Sequence, residues 1–384
     1  MRAIAICNGL IFTMTGQMIK EGIVLVRESK IAAVGKDLEI PPEAEVIDAT
    51  GKVVMPGLID AHSHVGIVPE GLDWEYSDAN EITDPVTPQL RVIDAIDPTD
   101  QAFKDAIAGG VTTVVTGPGS ANVIGGQSVV IKTAGTSLEE MILRNPAGVK
   151  MAFGKKMERP SQGKYPYPVT SMGTVGVLRQ ALTEARNYMK KIERREEHER
   201  DLGMEVLVKL LKREIPARIH VQRAGDMLSI IRVAKEFGFD FTMEHAREAH
   251  FIIDELLNNR VPVVFGPLMR ARRSIVFKHL DPRTPALLSK AGIKVALMTD
   301  HPVIPIQYLS LMAAIAAGEG MSEDEALKAI TINAAEIAGV ADRVGSIEPR
   351  KDADIVIFSG HPLKIRSRVE KVLVNGQIVY DRSE

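Results

Sequence analysis

Between residues 57 and 299 short β-like apolar runs alternate with helical stretches, and nothing else in the chain limits its fold as tightly. The strand candidates are 57–64, 111–116, 129–133, 149–153, 218–222, 241–245, 261–265 and 294–299. Helix signals lie between them. Asp97-Pro98 offers a cap and a first-turn proline to a helix that stops at Gly109-Gly110. Ser137 with Glu140, and Ser322 with Glu325, have capping-box spacing. From Asp226 to Phe237, the residues Met227, Ile230, Ile231, Ala234 and Phe237 share one helical face. Eight strands separated by helices predict an α/β chain built on a (β/α)8 TIM barrel. An open doubly wound sheet is the alternative, but it lacks a Gly-x-Gly-x-x-Gly turn here.

The chain ends read differently. Residues 3–6, 23–26 and 30–34 are brief β-like runs, and so are 354–358, 369–374 and 377–380. Asn375-Gly376 between the last two is a hairpin signal. Neither end is large enough to fold alone. The economical reading joins residues 1–54 and 346–384 in one small β-sandwich around a barrel of residues 55–345. One connection is anomalous. Residues 154–217 hold a Pro/Gly/Tyr-rich loop, 155–170, and then a helical stretch dense in Glu, Lys and Arg between Lys190 and Asp201. The charge run reads as a solvated helix face. The loop leaves the C-terminal end of strand four, where barrel enzymes keep their active sites, so the 155–217 insertion is a candidate lid.

Composition narrows the chemistry. With 45% apolar and 25% charged residues the chain is an ordinary globular protein. A net charge of −3 provides no field to hold nucleic acid or an anionic membrane. No apolar run approaches the ~20 residues that span a bilayer, and the N-terminus lacks a signal-peptide core. The single cysteine, Cys7, excludes a disulfide framework and fits a reducing, cytoplasmic setting. It also excludes a cysteine-rich zinc site, so any metal must be held by nitrogen and oxygen. The expected partner is a small-molecule substrate; a homo-oligomer is left open.

Nine histidines are available, and their positions matter. His62-Ser63-His64 closes the first barrel strand, and strand alternation turns both imidazoles to one side. His220 ends strand five, His245 strand six and Asp300 strand eight. In a barrel these ends surround one mouth. Four imidazoles and a carboxylate are costly to bury unpaired, and a divalent ion such as zinc satisfies their lone pairs. His198 falls in the charged stretch and reads as solvated, and His250, His279 and His361 read as structural.

The run Val54-Met55-Pro56-Gly57-Leu58-Ile59-Asp60-Ala61-His62-Ser63-His64 resembles the opening motif of the metal-dependent amidohydrolase superfamily. Ala326-Leu327 through Asn333-Ala334-Ala335, Gly345-Ser346-Ile347-Glu348 and Asp352-Ala353-Asp354-Ile355-Val356 are similar to its return from barrel to sandwich. Residues 372–379 are similar to its last hairpin. Within the superfamily, the chain is most similar to the branch of imidazolonepropionase and its dipeptidase-like relatives. The resemblance implies one or two divalent ions, zinc by preference. His62 and His64 would bind the more buried ion. His220 and His245 would bind a second ion, or one of them would contact substrate, which makes His245 a catalytic candidate. Asp300 would bind metal and take the proton of the attacking water. A divalent ion lowers the pKa of water from about 15.7 toward about 7. Two-metal members often bridge their ions with a carboxylated lysine on strand four, and Lys150 matches that position; Lys132 on strand three is the weaker competitor.

Hydrolase and deaminase chemistry share this site. The ring deaminases and imidazolonepropionase typically carry a glutamate three residues after the strand-five histidine, where this chain has Arg223. Arginine is neither acid nor base at neutral pH. The expectation is therefore hydrolysis of an amide C–N bond with Asp300 as proton carrier. The alternative is a cyclic amidohydrolase or aminohydrolase acting on a nitrogen heterocycle. Arg223, Arg247, Arg270, Arg272 and Arg273 follow barrel strands, and guanidinium groups pair bidentately with carboxylates. An N-acyl amino acid or a dipeptide is the expected substrate class, with Arg223 and Arg270 as leading contacts. His301 beside Asp300, Tyr165 and Tyr167 in the lid, and Asp73 and Trp74 after strand one are further candidates for the pocket.

Overall fold

A computed structural model describes residues 3–71, 77–154, 168–271 and 277–383. Strands from both chain ends form one sheet. These are β1 (Ala3–Phe12), β2 (Met18–Arg27), β3 (Lys30–Gly35), β4 (Glu45–Asp48), β5 (Val53–Pro56), β14 (Ile355–Phe358), β15 (Val369–Val374) and β16 (Gln377–Asp381). Their order is β16-β15-β14-β5-β1-β2-β3, with β4 beside β1. The join between the ends is the antiparallel pair β5–β14, Val356 facing Met55. The division expected at residue 54 therefore falls inside β5.

The middle of the chain forms the second eight-stranded sheet: β6 (Leu58–Ser63), β7 (Val111–Thr116), β8 (Ile124–Lys132), β9 (Ile142–Ala152), β10 (Ala217–Val221), β11 (Phe241–His245), β12 (Val263–Phe265) and β13 (Val295–Leu297). Neighbours follow in sequence order, as a TIM-like barrel requires. The gap between β13 and β6 is bridged by residues 329 and 330: Leu297 N–H donates to Ala329 C=O, and Ile59 N–H donates to Ile330 C=O.

One expectation is corrected. The sheet is not parallel throughout, because β8 runs antiparallel to both β7 and β9. Only residues 117–123 separate β7 from β8, too few for the crossover that a parallel pair needs. The third strand is also longer than expected and starts at Ile124.

Helices cover the barrel. Met227, Ile230, Ile231, Ala234 and Phe237 of α5 (Ala224–Phe237) are buried, as the periodicity predicts. The first helix, α1 (Gln101–Ala108), does end at Gly109, but its cap is Asp100 rather than Asp97. Ser137 and Ser322 accept from the N–H groups of Glu140 and Glu325, as their spacing predicts. The long insertion holds α3 (Ser171–Glu193) and α4 (Leu202–Leu211). The charge run is thus mostly the exposed loop between these helices, not a helix face. The part of the candidate lid at 155–167 lies outside the described residues. No described helix is long and apolar enough to cross a membrane.

Gly57 sits where the chain passes from sheet to barrel. A Cβ there would lie 2.0 Å from Thr112 Oγ1, so only glycine fits. Lys132 also lies at this junction. Its Nζ pairs with Asp352 Oδ2 at 2.8 Å and Asp354 Oδ1 at 2.9 Å, and donates to Asn375 Oδ1 at 2.6 Å. That satisfies the ammonium away from the barrel mouth and removes Lys132 as a competitor for a metal.

Candidate metal centre

The end of β6 brings His62 and His64 to Asp300, which follows β13. The Nε2 atoms of His62 and His64 lie 3.3 and 3.5 Å from Asp300 Oδ1. One ligand atom from each of the three residues falls within 4.8 Å of the others. The His62 Nε2 is buried and has no hydrogen-bond partner.

Each ring is oriented through its other nitrogen. His62 Nδ1 donates to Glu244 Oε2 at 2.6 Å, His64 Nδ1 to Gly117 C=O at 2.7 Å, and His245 Nδ1 to Gly266 C=O at 3.0 Å. Acceptors on Nδ1 fix the proton there and leave Nε2 with a free lone pair. Two imidazole nitrogens and a carboxylate oxygen facing one point suit a divalent ion of the zinc type.

His245 joins this cluster, its ring 5.1 Å from that of His62 and 4.2 Å from that of His220. His220 is engaged differently. Its Nε2 lies 3.1 Å from Gln222 Nε2. Gln222 Oε1 accepts from Arg247, a donor only, so the glutamine's NH2 must face His220.

The backbone is left-handed at His245 (φ 68°) and Asp300 (φ 56°). Such conformations cost energy in non-glycine residues and gather at working sites. Asp60 anchors the second of these turns. Its carboxylate accepts from Thr299 N–H at 3.1 Å, Thr299 Oγ1 at 2.5 Å and His62 N–H at 3.1 Å. Burial pushes the Asp60 carboxyl up to about 6.

Beneath the cluster lies a buried ionic group. Glu244 Oε1 pairs with Arg218 at 2.7 Å, and its Oε2 stands 3.5 Å from Lys150 Nζ. Burial alone would raise the Glu244 pKa, but Arg218, His62 and Lys150 hold it well below the usual carboxylate range. Burial pulls the Lys150 ammonium down, against the attraction of Glu244 and Asp300. Burial also opposes ionisation of Asp300, yet His245, His62 and His64 keep it well below its ordinary value. The His245 imidazole is driven far down, first by burial.

Among the arginines, Arg223 is exposed at the start of α5, Arg270 is exposed after β12, and Arg247 is buried. His301 has no exposed surface, and its Nε2 lies 3.5 Å from Glu70 Oε1. Tyr165, Tyr167, Asp73, Trp74, Arg272 and Arg273 fall outside the described residues.

Sequence reasoning missed Glu244, Arg218 and Asp60 as parts of the site. A signal existed in two strands. In β10 Arg218 and His220 alternate with Ala217, Ile219 and Val221, and in β11 Thr242 and Glu244 alternate with Phe241 and Met243. Polar residues on alternate positions of a barrel strand point to a polar interior.

Comparison with known proteins agrees with this geometry. A family model described as the amidohydrolase family matches residues 169–380, and a second amidohydrolase model matches 45–103. The chain is similar to the amidohydrolase tasK of Hapsidospora irregularis, at 28% identity over 95% of this chain, and spans 40% of that protein's length. It is 24% identical to an imidazolonepropionase of Fusobacterium nucleatum, over 94% of this chain and 92% of that one. Among solved structures, an amidohydrolase from Thermotoga maritima MSB8 superposes with a TM-score of 0.95 at 46% identity, covering 99% of this chain and 100% of that one.

Proposed function

The chain belongs to the amidohydrolase family, hydrolases that act on carbon–nitrogen bonds, and from that premise we propose that it cleaves the amide bond of a small carboxylate-bearing molecule. N-acyl amino acids and dipeptides are the substrate class. The observation that carries the reading is the convergence of His62 Nε2, His64 Nε2 and Asp300 Oδ1, with both rings pinned from behind.

In this proposal His62, His64 and Asp300 hold the ion, zinc by preference, with His245 and His220 beside it. When bound, the ion supplies Lewis acidity, which acidifies water and polarises a carbonyl. Asp300, kept ionised, takes a proton as water attacks the carbonyl carbon. As the C–N bond breaks, Asp300 returns that proton to the leaving nitrogen. Buried His245 stays neutral and contacts the reacting group. Arg223 and Arg270 at the mouth favour an anionic substrate, and Tyr165 and His301 remain candidate contacts.

A carboxylated Lys150 bridging two ions is the finer variant. The contact between Lys150 Nζ and Glu244 favours the unmodified ammonium and a single ion, because a carbamate would set a second anion against Glu244. Metal content per chain and the intact mass of the native protein separate the two variants.

The test is a metal-loaded preparation with a panel of N-acyl amino acids and dipeptides. Asp300→Asn should lose turnover by about 10²–10⁴-fold while the fold is kept; full activity in that variant would overturn the mechanism. The full-length similarity to an imidazolonepropionase supports a second reading, hydrolysis within a nitrogen heterocycle. Ring opening or ammonia release from heterocycles, with no amide cleavage, would establish it instead.

A further inference from the structure

We propose that Arg247, seated on the ring of Phe277 beside Arg270, is the group that binds the substrate's carboxylate; this rests on the amide-cleaving reading and names the anchor within it.

Arg247 follows β11 by two residues and is only 2% exposed. Its guanidinium carbon lies 4.0 Å from the centre of the Phe277 ring, and that of Arg270 lies 5.3 Å from the same centre. Arg247 donates to Gln222 Oε1, while its buried Nε has no acceptor. Among the described residues no carboxylate stands within ion-pair distance of either arginine. Two guanidinium groups on one phenyl ring, one of them buried, form a concentrated positive charge with no carboxylate paired to it among the described residues.

Such an arrangement is costly unless an anion completes it. An arginine guanidinium is charged at neutral pH, so both groups bring their charge to this ring. The buried ionic group under the metal centre behaves differently: there Arg218 is matched by Glu244 at 2.7 Å. The contrast marks the Arg247 position as one whose partner comes from outside. A carboxylate is the matching chemistry, since the guanidinium fork donates to its two oxygens side by side.

The location links this anchor to the reaction. Gln222 bridges Arg247 to His220. Arg247 also feels the charge of Asp300. A carboxylate held at Arg247 therefore lies beside the cluster that would act on the amide. Arg223, the arginine favoured by sequence order, is exposed and stands at the N-terminal end of α5, where its side chain makes no cap hydrogen bond.

The test uses the metal-loaded protein with a panel of N-acetyl amino acids and their matched C-terminal carboxamides. Turnover and calorimetric binding are both measured. The acids should be preferred by about 30-fold or more, the usual consequence of a buried charge pair. In Arg247→Met this preference should collapse toward unity, mainly through KM. Arg247→Lys, with charge but no fork, should fall between. If Arg247→Met does not fold, Arg247→Lys and Arg270→Met carry the comparison. Acids that bind, lose binding in Arg247→Met and yet are never cleaved would support this anchor while ending the amide-cleaving reading. Cleavage without acid preference, an acid preference that survives Arg247→Met, or no binding of any acid would overturn the anchor.

Discussion

Glu244 accepts a 2.6 Å hydrogen bond from His62 Nδ1 and thereby decides which nitrogen of that ring faces Asp300. The carboxylate is fully buried and is shared with Arg218 and Lys150. Acceptors of this kind orient metal ligands and raise their basicity, and removing one typically costs 10–100-fold in affinity, so a loss of about that size is expected for Glu244→Gln. Zinc competition against a chelator measures it. The neutral side chain also strands two buried cations, so the melting temperature should fall as well. Unchanged zinc affinity would show that His62 is oriented by packing alone.

Asp60 tests how the Asp300 turn is held. It gathers the Thr299 N–H, the Thr299 hydroxyl and the His62 N–H on one carboxylate. In Asp60→Asn one acceptor becomes an NH2 that faces donors. Leaving buried donors unsatisfied costs about 1–3 kcal/mol. A small displacement of Asp300 should also lower kcat by about 10²-fold at saturating metal. Reduced stability with unaltered kcat would mean that Asp60 supports the fold but not the placement of Asp300.

Lys132→Met examines the join between barrel and terminal sheet. Lys132 is buried and faces Asp352 and Asp354. Arg343 and Lys30 still pair with Asp352 in the variant, but Asp354 would lose its only cationic partner within ion-pair distance among the described residues. Breaking one partner of a buried pair costs about 3–5 kcal/mol. Urea denaturation should show that loss, while metal content stays at the wild-type level, because Lys132 is engaged by Asp352, Asp354 and Asn375. A loss below about 1 kcal/mol would mean that the junction is held by its apolar contacts.

The barrel and the clustering of the strand-end histidines were legible because they depend on local pattern: apolar runs for the strands, and strand-end positions for His62, His64, His245 and Asp300. The antiparallel β8 was not, since a short connection looks like any loop until the pairing of its strands is known. Nor was the partnership of His62 with Glu244, 182 positions apart, which exists only once the barrel closes. Lys132 and Lys150 look alike in sequence, each a lysine on a buried strand. What separates them is the acid each one meets, and those acids come from distant strands and loops. The arginines show the same limit: sequence order favoured Arg223, whereas burial and the ring of Phe277 single out Arg247.

His301 makes stability depend on pH. It has no exposed surface, and burial brings its imidazole down to about 4, against the attraction of Asp100. The unfolded chain would titrate near the ordinary value of about 6.5. Between these values the unfolded state binds a proton that the folded state does not, so stability rises with pH across the window. The contribution is present above about 6.5 and is lost as pH falls toward 4, at most about 3 kcal/mol in all. His301→Asn removes the titrating group. Its unfolding free energy should therefore fall less between pH 7 and pH 5 than that of the wild type, by about 2 kcal/mol. Urea midpoints at the two pH values measure the difference, and other titrating groups cancel in the comparison. Equal slopes for the two proteins would mean that His301 is protonated in the folded state, paired with Glu70.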